Sequence, residues 1–187
     1  MRSMFRTSLL LSAFSAALAG AQTQAGAAVA NFPAMGEAAP DFTATATDST
    51  GKQIPVSLKA LRGKVVVLAF YPGDRTRGCT AELTKFRDEY ASMFGEGVVV
   101  LPTSIDSLGS HTSWAKDAHF PFAMISDMQS ELAKKYASQG GARPNFQRTI
   151  FVIGKDGKIT YTDTKFNALA QDGYDKLSAE IKKAKGV

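Results

Sequence analysis

The 187-residue sequence has one cysteine, one tryptophan and two histidines. A single cysteine excludes an internal disulfide and a C-x-x-C redox pair. His111 and His119 stand eight positions apart, with no cysteine or carboxylate at ligand-like spacing. No metal site is therefore expected. Clusters of Lys and Arg interleaved with aromatics are lacking, which excludes a nucleic-acid groove. The apolar run near the start, Leu9–Leu18, is too short to span a bilayer comfortably, so no stable membrane anchor is expected. Internal repeats are absent as well.

What is there begins with that run. Arg2 and Arg6 precede it, and small residues follow at Ala19-Gly20-Ala21 and Ala27-Ala28-Val29-Ala30. This is the pattern of a secretory signal peptide over residues 1–21, with cleavage as late as residue 30 also compatible. Residues 22–32 read as a flexible leader, and 33–187 as one globular domain. An exported protein, periplasmic or secreted, is expected. Loss of Arg2 and Arg6 lowers the net charge from +5 to +3, a mildly basic chain.

The domain is organised around Val65–Arg87. Val65–Phe70 is a β-branched apolar run of buried-strand length. Tyr71-Pro72-Gly73-Asp74 turns the chain. From Thr80, the apolar positions Ala81, Leu83, Phe86, Tyr90 and Phe94 recur at helical spacing. Cys79 sits where that helix begins. A free thiol titrates at about 8.5, and a helix N-terminus with nearby cations lowers that value. Unpaired N–H groups and the helix dipole both favour an anion there. Arg75 and Arg77 lie close in sequence, and Thr76 offers a hydroxyl to a thiolate or a substrate oxygen. By itself this position also suits an inert buried cysteine.

Pro72, Thr76 and Cys79 stand as P-x-x-x-T-x-x-C, followed by Thr80 and Glu82. This resembles the signature of the peroxiredoxins, the alkyl hydroperoxide reductase and thiol-specific antioxidant family. FYPGD…GCT…E…FRD is most similar to the bacterioferritin comigratory protein branch. The resemblance implies a thioredoxin-like fold and a peroxidase that needs no cofactor or metal. It implies that Cys79 attacks a peroxide, Thr76 orients it and Pro72 shields the thiolate from water. Arg148 would hold the thiolate charge, Glu82 would orient the arginine, and N–H groups around Gly78 and Cys79 would stabilise the leaving oxygen. It also implies a monomer or weak dimer. Two departures stand out. Arg77 replaces the proline of T-P-x-C, freeing the loop and adding positive charge. Thr84 stands where that branch often has a second cysteine. Recycling would then fall to an external thiol, a thioredoxin-like protein or a small thiol, without which an exported reactive thiol is soon consumed.

The rest of the chain reads as an α/β core. Asp41–Thr47 and Lys52–Ser57 form an N-terminal hairpin around Asp48-Ser49-Thr50-Gly51. Val98–Ser104 is a buried strand, Ser110–Ala118 a helix opened by a serine cap, and Phe120–Met124 a short strand. Asp127–Tyr136 reads as a helix and Gly140–Phe146 as a loop, with Arg143 a surface neighbour of the site. Thr149–Ile153 and Ile159–Thr162 flank a turn at 155–158, and Gln171–Ala184 closes the chain as a helix. Strands joined by helices, then a hairpin, give a sheet of mixed direction. Trp114 and Phe120 are expected in the core or site wall, and His111 at the surface or in a cap, with a place near the site as the alternative.

Two competing functions follow from the same residues. A thioredoxin-type oxidoreductase requires a second cysteine where Glu82 stands. A non-catalytic thiol, redox-sensing or binding module would keep the fold without turnover.

Overall fold

The computed structural model describes residues 31–140 and 145–187. The expected signal peptide and the expected leader up to residue 30 lie outside the described residues, as does Arg143. Seven strands form one sheet in the order β2-β1-β5-β4-β3-β6-β7. They are β1 (Thr43–Thr47), β2 (Gln53–Ser57), β3 (Val65–Phe70), β4 (Val98–Ser104), β5 (Met124–Ser126), β6 (Thr149–Ile153) and β7 (Ile159–Asp163). β3, β4 and β5 run parallel; β1, β2, β6 and β7 pair antiparallel. Among the described residues, four α-helices flank them: α1 (Arg77–Asp88), α2 (Leu108–Ala118), α3 (Glu131–Lys135) and α4 (Gln171–Lys185). This is the thioredoxin-like arrangement, with its mixed sheet and N-terminal hairpin, that the sequence leads one to expect.

β3 is apolar throughout because both of its faces are covered. Val65, Val67 and Ala69 pack with Leu83, Phe86, Trp114 and Leu177 of α1, α2 and α4. Val66, Leu68 and Phe70 point the other way, into a second core with Leu132, Tyr136 and Phe151. The outer strands are different in kind. β2 is an edge strand with an exposed Pro55, and the outer side of β7 is bonded at Ile159 by Gly36 and Glu37.

Several boundaries move from their expected places. α1 begins at Arg77, because the Thr76 carbonyl already accepts the Thr80 N–H at 2.8 Å. It ends at Asp88 and passes into a π-helical turn at Tyr90–Phe94. α2 starts earlier than Ser110, since Ser107 is the cap and its hydroxyl accepts the Ser110 N–H. Phe120–Met124 is not a strand: Pro121 lacks a donor, and Phe120 and Phe122 stack at 5.1 Å instead. The pairing shifts to Met124–Ser126. Asp127–Tyr136 shrinks to α3. Asp127 accepts the N–H groups of Leu132 and Ala133, and Ser130 sits in the left-handed region at φ 56°. A short acidic side chain satisfies the backbone there better than another helical turn.

Candidate active site

The sheet register builds the site. β6 runs antiparallel to β3 with Thr149 opposite Phe70. The start of β6 therefore meets the end of β3, and Arg148 comes beside the loop that leads from β3 into α1. Arg148 Nη2 donates to Cys79 Sγ at 3.3 Å. Its Nη1 forms an ion pair with Glu82 Oε2. Glu82 lies one turn after Cys79 on the same helix, so both side chains face β6. Cys79 and Glu82 are fully buried. The Arg148 side chain is 17% exposed, the one of the three that reaches solvent.

Burial pushes the Glu82 carboxyl up to about 7, against the pull of Arg148. Its Oε1 has no hydrogen-bond partner among the described residues. Arg148 is held above its usual range: burial opposes the charge, but Glu82 and Cys79 outweigh it. The guanidinium therefore stays a fixed positive charge against the sulfur. A thiolate at Sγ, and an oxygen leaving from it, would both gain from that charge.

The other expected site residues fall as follows. Gly78 packs on the guanidinium, and a Cβ placed there would lie 3.0 Å from Arg148 Nη2. The Thr76 hydroxyl donates to the Gly73 carbonyl at 3.2 Å rather than to the sulfur. Pro72 is half-buried in the same loop. Arg77 is exposed at the first position of α1. Arg75 adopts φ 58° and turns away to Asp117 at 2.5 Å and Ser113 at 3.1 Å. Its charge is spent on α2, not on the thiol.

Gly78→Ala offers a direct reading of the guanidinium contact. The backbone tolerates alanine here, and the helix gains from it. Arg148 must give way, so alkylation of Cys79 by iodoacetamide is expected to slow about tenfold, the loss of one charged hydrogen bond. The melting temperature should stay near that of the wild type. Alkylation at the wild-type rate would contradict the contact.

His111 is a correction. It is neither at the surface nor a cap, but fully buried. Its Nδ1 lies 3.0 Å from Asp74 Oδ2, and its Nε2 lies 3.2 Å from the Ile125 carbonyl. Tyr71 and Ser110 hydroxyls also donate to Asp74, at 2.7 and 2.6 Å. Burial would raise the Asp74 carboxyl, but these bonds, led by His111, hold it below its ordinary value. The signal was present in the sequence. His111, Trp114, Ala115 and Ala118 follow i, i+3, i+4, i+7, which puts the histidine on the buried stripe of α2. Trp114 and Phe120 are core aromatics, as expected.

Comparison with known proteins gives the family of the chain. The AhpC/TSA family profile matches residues 35–162, more than half of the chain. Peroxiredoxin 2 of Thermoplasma acidophilum is 41% identical over 64% of this chain and 60% of its own. The chloroplastic peroxiredoxin Q of Arabidopsis thaliana is 40% identical over 66% of this chain and 56% of its own. The crystal structure of peroxidoxin BcpB from Mycobacterium tuberculosis superposes with a TM-score of 0.69 at 29% identity. It covers 81% of this chain and 97% of that one. The chain belongs to the AhpC/TSA family, the peroxiredoxins.

Proposed function

We propose that this protein is a thiol-dependent peroxidase that reduces hydrogen peroxide or organic hydroperoxides through a sulfenic acid at Cys79. The observation that carries the reading is the guanidinium of Arg148, 3.3 Å from Cys79 Sγ and held by a buried carboxylate. The thiolate attacks one peroxide oxygen. An S–O bond forms, the O–O bond breaks, and the second oxygen leaves as hydroxide or alkoxide. Arg148 and the N–H groups at the start of α1 stabilise the charge on that leaving oxygen. The proton given up when the thiol ionised returns to it, giving water or an alcohol. Sulfur is oxidised and the peroxide reduced.

The sequence holds no second cysteine to condense with the sulfenic acid. An external thiol therefore attacks it, releasing water and leaving a mixed disulfide. A second thiol resolves that disulfide and restores Cys79. We also propose that the protein acts after export, on the strength of its leader sequence. No helix among the described residues is long and apolar enough to cross a membrane.

Peroxide consumption with excess dithiothreitol tests the reading, together with dimedone labelling after a peroxide bolus. The wild type is expected to turn over and to carry the label at Cys79, and Cys79→Ser to do neither. A wild type that neither consumes peroxide nor takes the label is a silent thiol module instead.

A further inference from the structure

The peroxidase reading leaves unused a buried polar cluster around Asp74 and His111. Asp74 lies in the loop between β3 and α1, two residues before Thr76 and five before Cys79. Its carboxylate receives Tyr71, Ser110 and His111. Its backbone N–H donates to Asp106 Oδ2 at 2.8 Å, and Asp106 is held in turn by the Ser104 hydroxyl at 2.7 Å. The side chains of Asp74 and His111 are 4% and 0% exposed. The loop is thus tied to α2 and to the end of β4 just before it delivers the first turn of α1.

His111 holds the centre of this cluster. Each ring nitrogen faces an oxygen, the Asp74 carboxylate at Nδ1 and the Ile125 carbonyl at Nε2. One nitrogen grips the loop and the other grips β5, a strand of the sheet. Neither touches Cys79, Arg148 or Glu82. Such a network is sensitive to one lost partner, because the remaining groups stay buried without their bonds.

We propose that His111 is a positioning residue for the Cys79 reaction. Through Asp74 it fixes the loop, and the loop fixes where the start of α1 presents Sγ to Arg148. The inference rests on the peroxidase reading for its substrate, but on the Asp74–His111 geometry for its residue. A displacement of about 1 Å at a reacting atom costs up to about a hundredfold in rate, so loosening the loop is enough to be seen.

The two ring nitrogens can be tested apart. Asparagine reproduces a donor near the place of Nδ1, and glutamine one near the place of Nε2. His111→Asn keeps a donor for Asp74, whereas His111→Gln keeps one for Ile125. Oxidation of Cys79 by hydrogen peroxide is expected to slow about tenfold in His111→Gln and to stay within about threefold of wild type in His111→Asn. A role in stability alone would move both variants in line with their urea midpoints. Asp74→Asn should share the loss. Combining it with His111→Gln should add nothing further, because both changes break one contact.

His111→Gln reacting as fast as wild type overturns the proposal. So does a loss in both His111 variants that tracks unfolding, and so does full additivity with Asp74→Asn. If His111→Gln does not fold, Asp74→Asn against His111→Asn decides in the same way. A wild type that ignores peroxide defeats the peroxidase reading instead. The iodoacetamide rate of the same variants then carries the test, since the position of Sγ against Arg148 governs both reactions.

Discussion

Replacing Arg148 with leucine is expected to slow the oxidation of Cys79 by hydrogen peroxide about 10²–10³-fold, the usual loss for one donor aimed at developing charge. The same change should lower the unfolding free energy by about 2 kcal/mol, because it takes the hydrogen-bond partner from the buried Glu82 carboxyl. The two effects have different origins and can be separated. Glu82→Met in the Arg148→Leu background removes the stranded carboxyl. It should recover most of the stability and none of the reactivity. Stopped-flow oxidation gives the first quantity and urea unfolding the second. Reactivity that returns with stability would mean that Arg148 acts on the fold and not on the sulfur.

Glu82→Gln should remove a pH dependence of stability. The folded protein holds the Glu82 carboxyl up at about 7, because burial disfavours the charge. In the unfolded chain it titrates near 4.5. Between these values the folded state keeps a proton that the unfolded chain has lost. The contribution is therefore complete below about 4.5 and disappears as pH rises through about 7. It amounts to about 3 kcal/mol. Urea midpoints at several pH values between 4 and 8 check the sign. The advantage of wild type over Glu82→Gln should shrink as pH rises. A gap that widens would mean that the Arg148 charge outweighs burial.

Much of this fold was readable because its signals are local. The all-apolar β3 announces a strand covered on both sides, and Pro72-Gly73-Asp74 announces the turn that follows. Cys79 at a helix start, with Glu82 one turn on, needs only residue spacing. The place of Arg148 depends on β6 running antiparallel to β3, which no local pattern states; family likeness alone points to it. The differences come from single side chains. Ser107 caps α2 in place of Ser110 and Asp127 delays the start of α3, each by accepting backbone N–H groups, while Pro121 shifts β5 because it has no N–H to offer. His111 was misplaced because its partner, Asp74, is 37 residues away. Its helical stripe was legible, but a histidine on a buried stripe says nothing about what it holds.

The two borders of the sheet have a bearing on solubility at high concentration. Pro55 interrupts the donor row of β2, and Gly36 and Glu37 occupy the outer side of Ile159. Among the described residues, the short span Thr160–Asp163 is what is left for another chain to add a strand beside β7. The sheet thus meets neighbouring copies with blunted margins, and the strand-to-strand aggregation that open edges invite is held back where it would begin.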